Sequence, residues 1–428
     1  MFVHVTLHAA GPATRNNDDT CDISVAPAAT LLLPYFEVDL SNSAVETTLF
    51  TVTNVTSVPQ IARVTIWTDW SYPLLSFNLF LTGYDVQSVN LYDVLARGRI
   101  VSETSMESEV GPRSAGNDGN PLHGVPLCAG APDPLPVRVL EDLRSALTVG
   151  RNTACAGARI GSSHANAIGY ATIDVVRNCG PAMPVDPGYF TSDLLYENVL
   201  IGDYQQVHRD NNFAQGNTLV HIRAVPEEGV SGWPKTNLRR TFYSRLLNGG
   251  TSDRRQPLPA TFAARWIAGG VGELKAAVKL WREAGTGATA GCAVSSNTGS
   301  PLPDLVRFDD EENPTIFVPD CTFLCPQPYW DAPSVLRIEI DNSSWYVPPN
   351  PGDDLSGWMY YNLGNQPGPT PTAEDASQGW VVVSMAAEGR FSIDFDAAAL
   401  GNGCSPRIPV TDYDGDPPAI GPAPNVHP

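Results

Sequence analysis

Between Pro34 and Leu95 apolar residues recur at every second position in short runs, and each run ends at a turn-forming residue. TTLFTVTN sets Phe50 and Val52 on one face, ARVTIWT sets Val64 and Ile66 on one face, and Pro59 in the loop between them stops the pairing. FNLFLTGYDVQSVNL then points Phe77, Leu79 and Leu81 one way, turns at Gly83, and resumes the period with Val89 and Leu91. Alternation of this kind leaves each strand apolar on one side only, so a second layer must cover that side. With 37 Gly and 38 Pro among 428 residues, turns come too often for long helices.

Further strand patterns follow in AIGYATIDVV, LVHIRAV, ELKAAVKLW, SVLRIEI and SGWMYYNL. A hairpin pattern, WVVVSMAAEGRFSIDF, turns at Glu388-Gly389. Two short helices interrupt them. VRVLEDLRSAL carries Val139, Leu140, Leu143, Ala146 and Leu147 on one stripe, and TSDLLYENVL has capping residues from Thr191 to Asp193. The expected fold is mainly β: two immunoglobulin-like β-sandwich units around a loop-rich middle with one or two short helices. The expected division is an N-terminal strand and polar linker (1–20), a first sandwich (21–105), a loop-rich segment with a helix (106–160), a second β-rich domain (161–404) and a Pro-rich acidic tail (405–428). ARVTIWTD and AAVKLWRE share A-x-V-x-[IL]-W-x-[DE], a weak internal echo that points to duplication of a sandwich. In both, Trp67 and Trp281 point opposite to the aliphatic residues.

The layout F-x-L-x-L-x-x-G followed by V-x-L resembles the closing hairpin of immunoglobulin-like or fibronectin-type-III-like sandwiches in bacterial secreted proteins, over roughly 75 residues. Longer phrases, LLLPYFEVDL, DNNFAQGNTLVHIRAVPE, RTFYSRL, RRQPLPATFAARWI and AEGRFSIDFDAAALGNGC, resemble an uncharacterised group of secreted bacterial proteins from about Cys21 to Cys404. That resemblance implies export and brings no activity, cofactor or catalytic residue with it.

Charge and cysteine usage narrow the compartment and the partners. A net charge of −20 repels polyanions and argues against nucleic acid. It is unevenly spread: ten bases against three acids from Gly229 to Gly285, and 19 acids against four bases from Ser300 onward. Cys21, Cys128, Cys155, Cys179, Cys292, Cys321, Cys325 and Cys404 are even in number and dispersed through loop sequence, which favours disulfides in an exported, extracellular or cell-surface protein. Their pairing is not deducible from spacing. No apolar run is long enough for a transmembrane helix. MFVHVTLHAAGPA lacks a basic segment and an uninterrupted apolar core, so the expectation is a signal already removed or a misplaced start.

Chemical signatures are sparse. No G-x-S-x-G, H-E-x-x-H or phosphate-binding loop occurs. His164 has Ser162 and Ser163 beside it and Asp174 further on, the raw material of a triad without a nucleophile elbow. Asp394 and Asp396 lie two apart on the polar face of a strand, ~7 Å between Cα atoms, the range a glycosidase pair needs. His208 and His221 can approach across a hairpin, whereas His4 and His8 on a strand stand ~13 Å apart, too far to share a metal. Asp412, Asp414 and Asp416 in D-Y-D-G-D offer a loose calcium site, as does the acidic run Asp309 to Asn313, but neither matches an EF-hand. Trp67 and Trp281, pointing away from the core, are candidate glycan contacts.

Three functions stay open. The first is a non-catalytic extracellular structural protein that self-assembles into filaments by β-strand addition, using Phe2, Val3, Val5 and Leu7 of MFVHVTLH. The second is a glycan-binding or adhesive module. The third is a secreted hydrolase whose site is assembled from distant residues.

Overall fold

The computed structural model describes residues 25–100, 128, 130–210, 213–224, 241–242, 253–267, 269, 274–283, 292, 304–308, 314–317, 334–340, 356–362, 378–387 and 390–399. Its strands are β1 (Thr30–Val38), β2 (Thr47–Asn54), β3 (Gln60–Thr68), β4 (Pro73–Leu81), β5 (Val86–Asn90), β6 (Ala167–Val176), β7 (Leu200–His208), β8 (Phe213–Thr218) and β9 (Val220–Ile222) in the first unit. The second unit contains β10 (Thr261–Ile267), β11 (Lys275–Arg282), β12 (Asp304–Phe308), β13 (Pro314–Phe317), β14 (Val335–Ile340), β15 (Ser356–Asn362), β16 (Gly379–Ala387), β17 (Phe391–Asp396) and β18 (Ala398–Ala399).

They form four antiparallel sheets: I, in the order β4-β3-β6-β1-β9; II, β5-β2-β7-β8; III, β14-β11-β16-β17; and IV, β13-β12-β15-β10-β18. Sheets I and II enclose one core, built on Phe50, Val52, Val64, Ile66, Phe77 and Ile173. Sheets III and IV enclose another, built on Phe262, Trp266, Val278, Leu280, Met359 and Val383. The protein is therefore mainly β and of sandwich type.

Local chemistry explains the ends of the elements. Pro34 brings no N–H to β1, and the β1–β6 register shifts between Leu33 and Phe36 around it. The Asn90 side chain accepts from Tyr92 N at 3.0 Å and opens α1 (Leu91–Arg97), which closes at Gly98 with φ +71°. Helix α2 (Val137–Thr148) buries Leu143, Ala146 and Leu147.

Several expectations are corrected. Phe77–Leu81 and Val89–Leu91 do not form a hairpin: β4 pairs with β3 in sheet I and β5 pairs with β2 in sheet II, while Leu91 begins α1. The chain crosses between sheets beside Gly83, where a Cβ would lie 2.4 Å from the Ser57 carbonyl oxygen. Val139 does not join the buried stripe of α2 and is exposed. TSDLLYENVL is not a helix; a single wide helical turn, Tyr189–Asp193, takes in only its first three residues, and Leu194 is extended. Sheet membership also cuts across the expected domain limits, since residues 30–90 and 167–222 share sheets I and II. Pairing over such sequence distances leaves no local signature.

The largest departure concerns Trp67 and Trp281. Both are fully buried, and so is all of β3. The outer face of sheet I is covered by sheet III, so Leu32, Tyr35, Trp67 and Tyr170 belong to the second core. Tyr170 stacks on Trp67 at 5.7 Å and meets Trp281 edge-on at 5.9 Å. The alternation was right about which residues share a face, but that face is an interface between sandwiches and offers no ring to a glycan. Trp281→Ala is expected to lower unfolding stability by ~3–5 kcal/mol, the usual cost of emptying a buried aromatic site. Because the second core includes the outer face of sheet I, the loss should appear in one denaturant transition shared by both units; two separate transitions would contradict the shared core.

Candidate functional site

The side of sheet III that faces away from sheet IV meets the first sandwich through a polar seam. Lys279 on β11 donates from Nζ to Asp394 Oδ2 at 3.1 Å and to Gln206 Oε1 on β7, and lies 5.7 Å from the centre of the Tyr35 ring. Asp394 also accepts from the Ser384 hydroxyl. Burial pushes the Lys279 ammonium down, and the Asp394 charge works against that shift. Beside them, Glu37 accepts from Tyr35 Oη at 2.6 Å, Asn166 Nδ2 at 2.8 Å and Arg337 Nη1 at 3.0 Å. Burial works to raise the Glu37 carboxyl, but the Tyr35 hydrogen bond and the Arg337 guanidinium outweigh it and hold it below its ordinary value.

Asp394 and Asp396 therefore do not line a solvated strand face. Asp394 is buried and paired, and Asp396 accepts from Trp380 Nε1 at 2.8 Å. Burial, with the like charge of Asp394, lifts Asp396 to about 6. The polar face of β17 packs toward β7 and β11.

The triad residues are also separated. His164 Nε2 lies 3.2 Å from Asp69 Oδ2, an acid the sequence did not single out. Ser162 gives its backbone N–H to the same carboxylate and its Oγ accepts from Trp70 Nε1 at 2.9 Å. Ser163 Oγ donates to the Val149 carbonyl at 3.4 Å. Asp174 instead accepts from Thr30 Oγ1 at 2.5 Å, Tyr189 Oη at 2.7 Å and Arg255 Nη1 at 3.3 Å, all buried. A His–Asp pair exists, but neither adjacent serine hydroxyl bonds to the imidazole. His208 pairs with Glu46 at 2.9 Å and His221 Nε2 lies against the Gly202 backbone, so these two histidines hold separate partners.

Among the described residues no group of three His, Cys, Asp or Glu side chains is placed to hold a metal. Asp412, Asp414, Asp416, the acidic run from Asp309 to Asn313, and Met1 to His8 lie outside the described residues, as do Cys21, Cys321, Cys325 and Cys404. The other four cysteines form Cys128–Cys179 and Cys155–Cys292.

Among the described residues, β17 carries exposed apolar side chains at the end of sheet III. The apolar face of β17 begins inside the second core, where Phe395 opposes Val383, and runs out of it: Ile393 is 49% exposed and Phe391 52% exposed. Within the described residues β17 has a ladder partner on one side only, β16, and stands at the end of sheet III. Strand β8 runs close beside it without joining its ladder: Ser392 Oγ donates to the Ala214 carbonyl at 3.0 Å, and the Asn217 side chain hydrogen-bonds to Asp396. The hairpin pattern located Phe391 and Ile393 on the apolar face, but nothing in it shows where the covering sheet stops.

No family model matches the chain and no curated protein matches it in sequence. Among solved structures it was compared with the CupB6 tip adhesin from Pseudomonas aeruginosa, which is 8% identical over 89% of this chain and 92% of that chain, with a TM-score of 0.10. A likeness that slight carries no argument about fold or function.

Asp396 supplies a pH test. Its carboxyl titrates at about 6 in the folded protein against 3.8 without burial, so between those values the folded state holds the extra proton and stability falls as pH rises through 6. Asp396→Asn keeps an acceptor for Trp380 and removes the buried charge. It should unfold like the parent near pH 4 and be more stable by about 2 kcal/mol at pH 7 to 8, a figure reduced for partial solvent access. A stability gain that does not depend on pH would contradict this assignment.

Proposed function

We propose that the protein is a non-catalytic extracellular structural subunit that self-associates by β-strand addition at the open edge of β17. The observation that carries this reading is a terminal strand with two large apolar side chains, Phe391 and Ile393, half exposed on a face continuous with the core. An added strand there gains backbone hydrogen bonds along the edge and covers that face.

The donor is the segment Met1 to His8 of a neighbouring copy. Met1, Val3, Val5 and Leu7 share one face, with Phe2 on the other, and the eleven residues from Ala9 to Asp19 reach up to ~40 Å when extended. The disulfides Cys128–Cys179 and Cys155–Cys292 support an oxidising compartment. No helix among the described residues is long and apolar enough to cross a membrane. Asp394, Asp174, Ser162 and His164, the residues nominated for a hydrolase, each hold partners within the protein.

Sedimentation velocity on the full chain, on a variant lacking Met1 to His8, and on Phe391→Asp/Ile393→Asp tests this. The full chain should form concentration-dependent oligomers, and both variants should stay monomeric with unchanged far-UV circular dichroism. A full chain that is monomeric at ~100 μM, about the upper range of a weak specific contact, overturns the proposal.

A further inference from the structure

The outer face of sheet IV carries two partly exposed aromatic rings, Trp358 and Tyr360. Strand β15 reads W-M-Y-Y from Trp358 to Tyr361. Met359 and Tyr361 are buried in the second core, whereas Trp358 is 46% exposed and Tyr360 41% exposed. Trp358 opposes Arg265 on β10 and Phe308 on β12, so the three stand in one row across three strands. The Arg265 guanidinium lies over the indole at 5.3 Å, and Phe308 meets Tyr360 edge-on at 5.6 Å. These neighbours hold both exposed rings in place before any ligand arrives, which lowers the ordering cost of binding.

We infer that this strip binds neutral polysaccharide. Exposed rings about 7 Å apart on one strand face give two stacking surfaces for the C–H faces of successive sugars. Arg265, which is exposed beside them, supplies donors for sugar hydroxyls. The strip is a flat sheet face, which suits an extended polymer better than a small ligand needing enclosure. A protein partner fits poorly. Each ring carries ~200 Å², so two that are roughly half exposed offer ~200 Å² between them, against the ~800 Å² per partner of a stable interface. The net charge of −20 disfavours acidic polysaccharides.

Affinity electrophoresis of the full chain in native gels containing laminarin, mannan, dextran or hydroxyethylcellulose tests the inference, with alginate as the acidic probe. At least one of the four neutral polymers should retard the parent protein. Trp358→Ala and Tyr360→Ala should each weaken retardation about tenfold, equivalent to ~1.4 kcal/mol, and the double variant should abolish it. Phe391→Asp/Ile393→Asp, altered at the other surface, should be retarded like the parent, which separates this inference from the self-association proposal. Absence of retardation in all four neutral gels, retardation in alginate alone, or undiminished retardation of a folded Trp358→Ala protein overturns it.

Discussion

Tyr170 lies between Trp67 and Trp281, and through that contact the outer face of sheet I becomes the floor of the second core. The rest of the architecture depends on it. An isolated sandwich would leave the outer face of β3 and β6 in water, yet here both strands are buried almost throughout. Once sheet III is docked there, Thr30, Asp174 and Tyr189 are enclosed with Arg255, and the Ser71 hydroxyl meets Ser334 of the second unit at 2.7 Å. The disulfide Cys155–Cys292 ties the two units again at a second point.

Docking two sandwiches also puts charged groups where water cannot reach, and their pairing follows from that. An unpaired buried ion costs several kcal/mol, so Lys279 with Asp394, and Arg255 with Asp174 and Asp253, each enclose a charge together with its counter-charge, while the buried Glu37 is met by an Arg337 that stays partly in solvent. Such pairs fix which strand faces which. A group already engaged on two or three sides has little capacity left to bind and release a substrate. Among the described residues, Trp358 and Tyr360 on sheet IV and Phe391 and Ile393 on β17 keep about half of their surface exposed.

Period-two alternation, turn residues and the apolar stripe of VRVLEDLRSAL made the β class, most of the strands and α2 legible from the sequence. The same pattern could not say how many layers cover a strand, because Trp67 reads identically whether water or Trp281 lies beyond it. It could not pair β1 with β6 or β2 with β7, since those contacts span more than a hundred residues. It misjudged Asp394 for the same reason: a polar face marks solvent only when nothing polar packs against it, and here Lys279 and Gln206 do. Trp358 and Tyr360 do not stand out in the sequence because W-M-Y-Y is apolar on both faces and gives alternation nothing to act on.

Amide hydrogen exchange across Phe391 to Asp396 tests the central claim of an open acceptor edge most directly, comparing assembled full chain with the variant lacking Met1 to His8. An accepted strand must slow exchange at the amides of β17 that face away from β16, and deletion of the donor must restore fast exchange there. Equal exchange in both proteins would contradict the account.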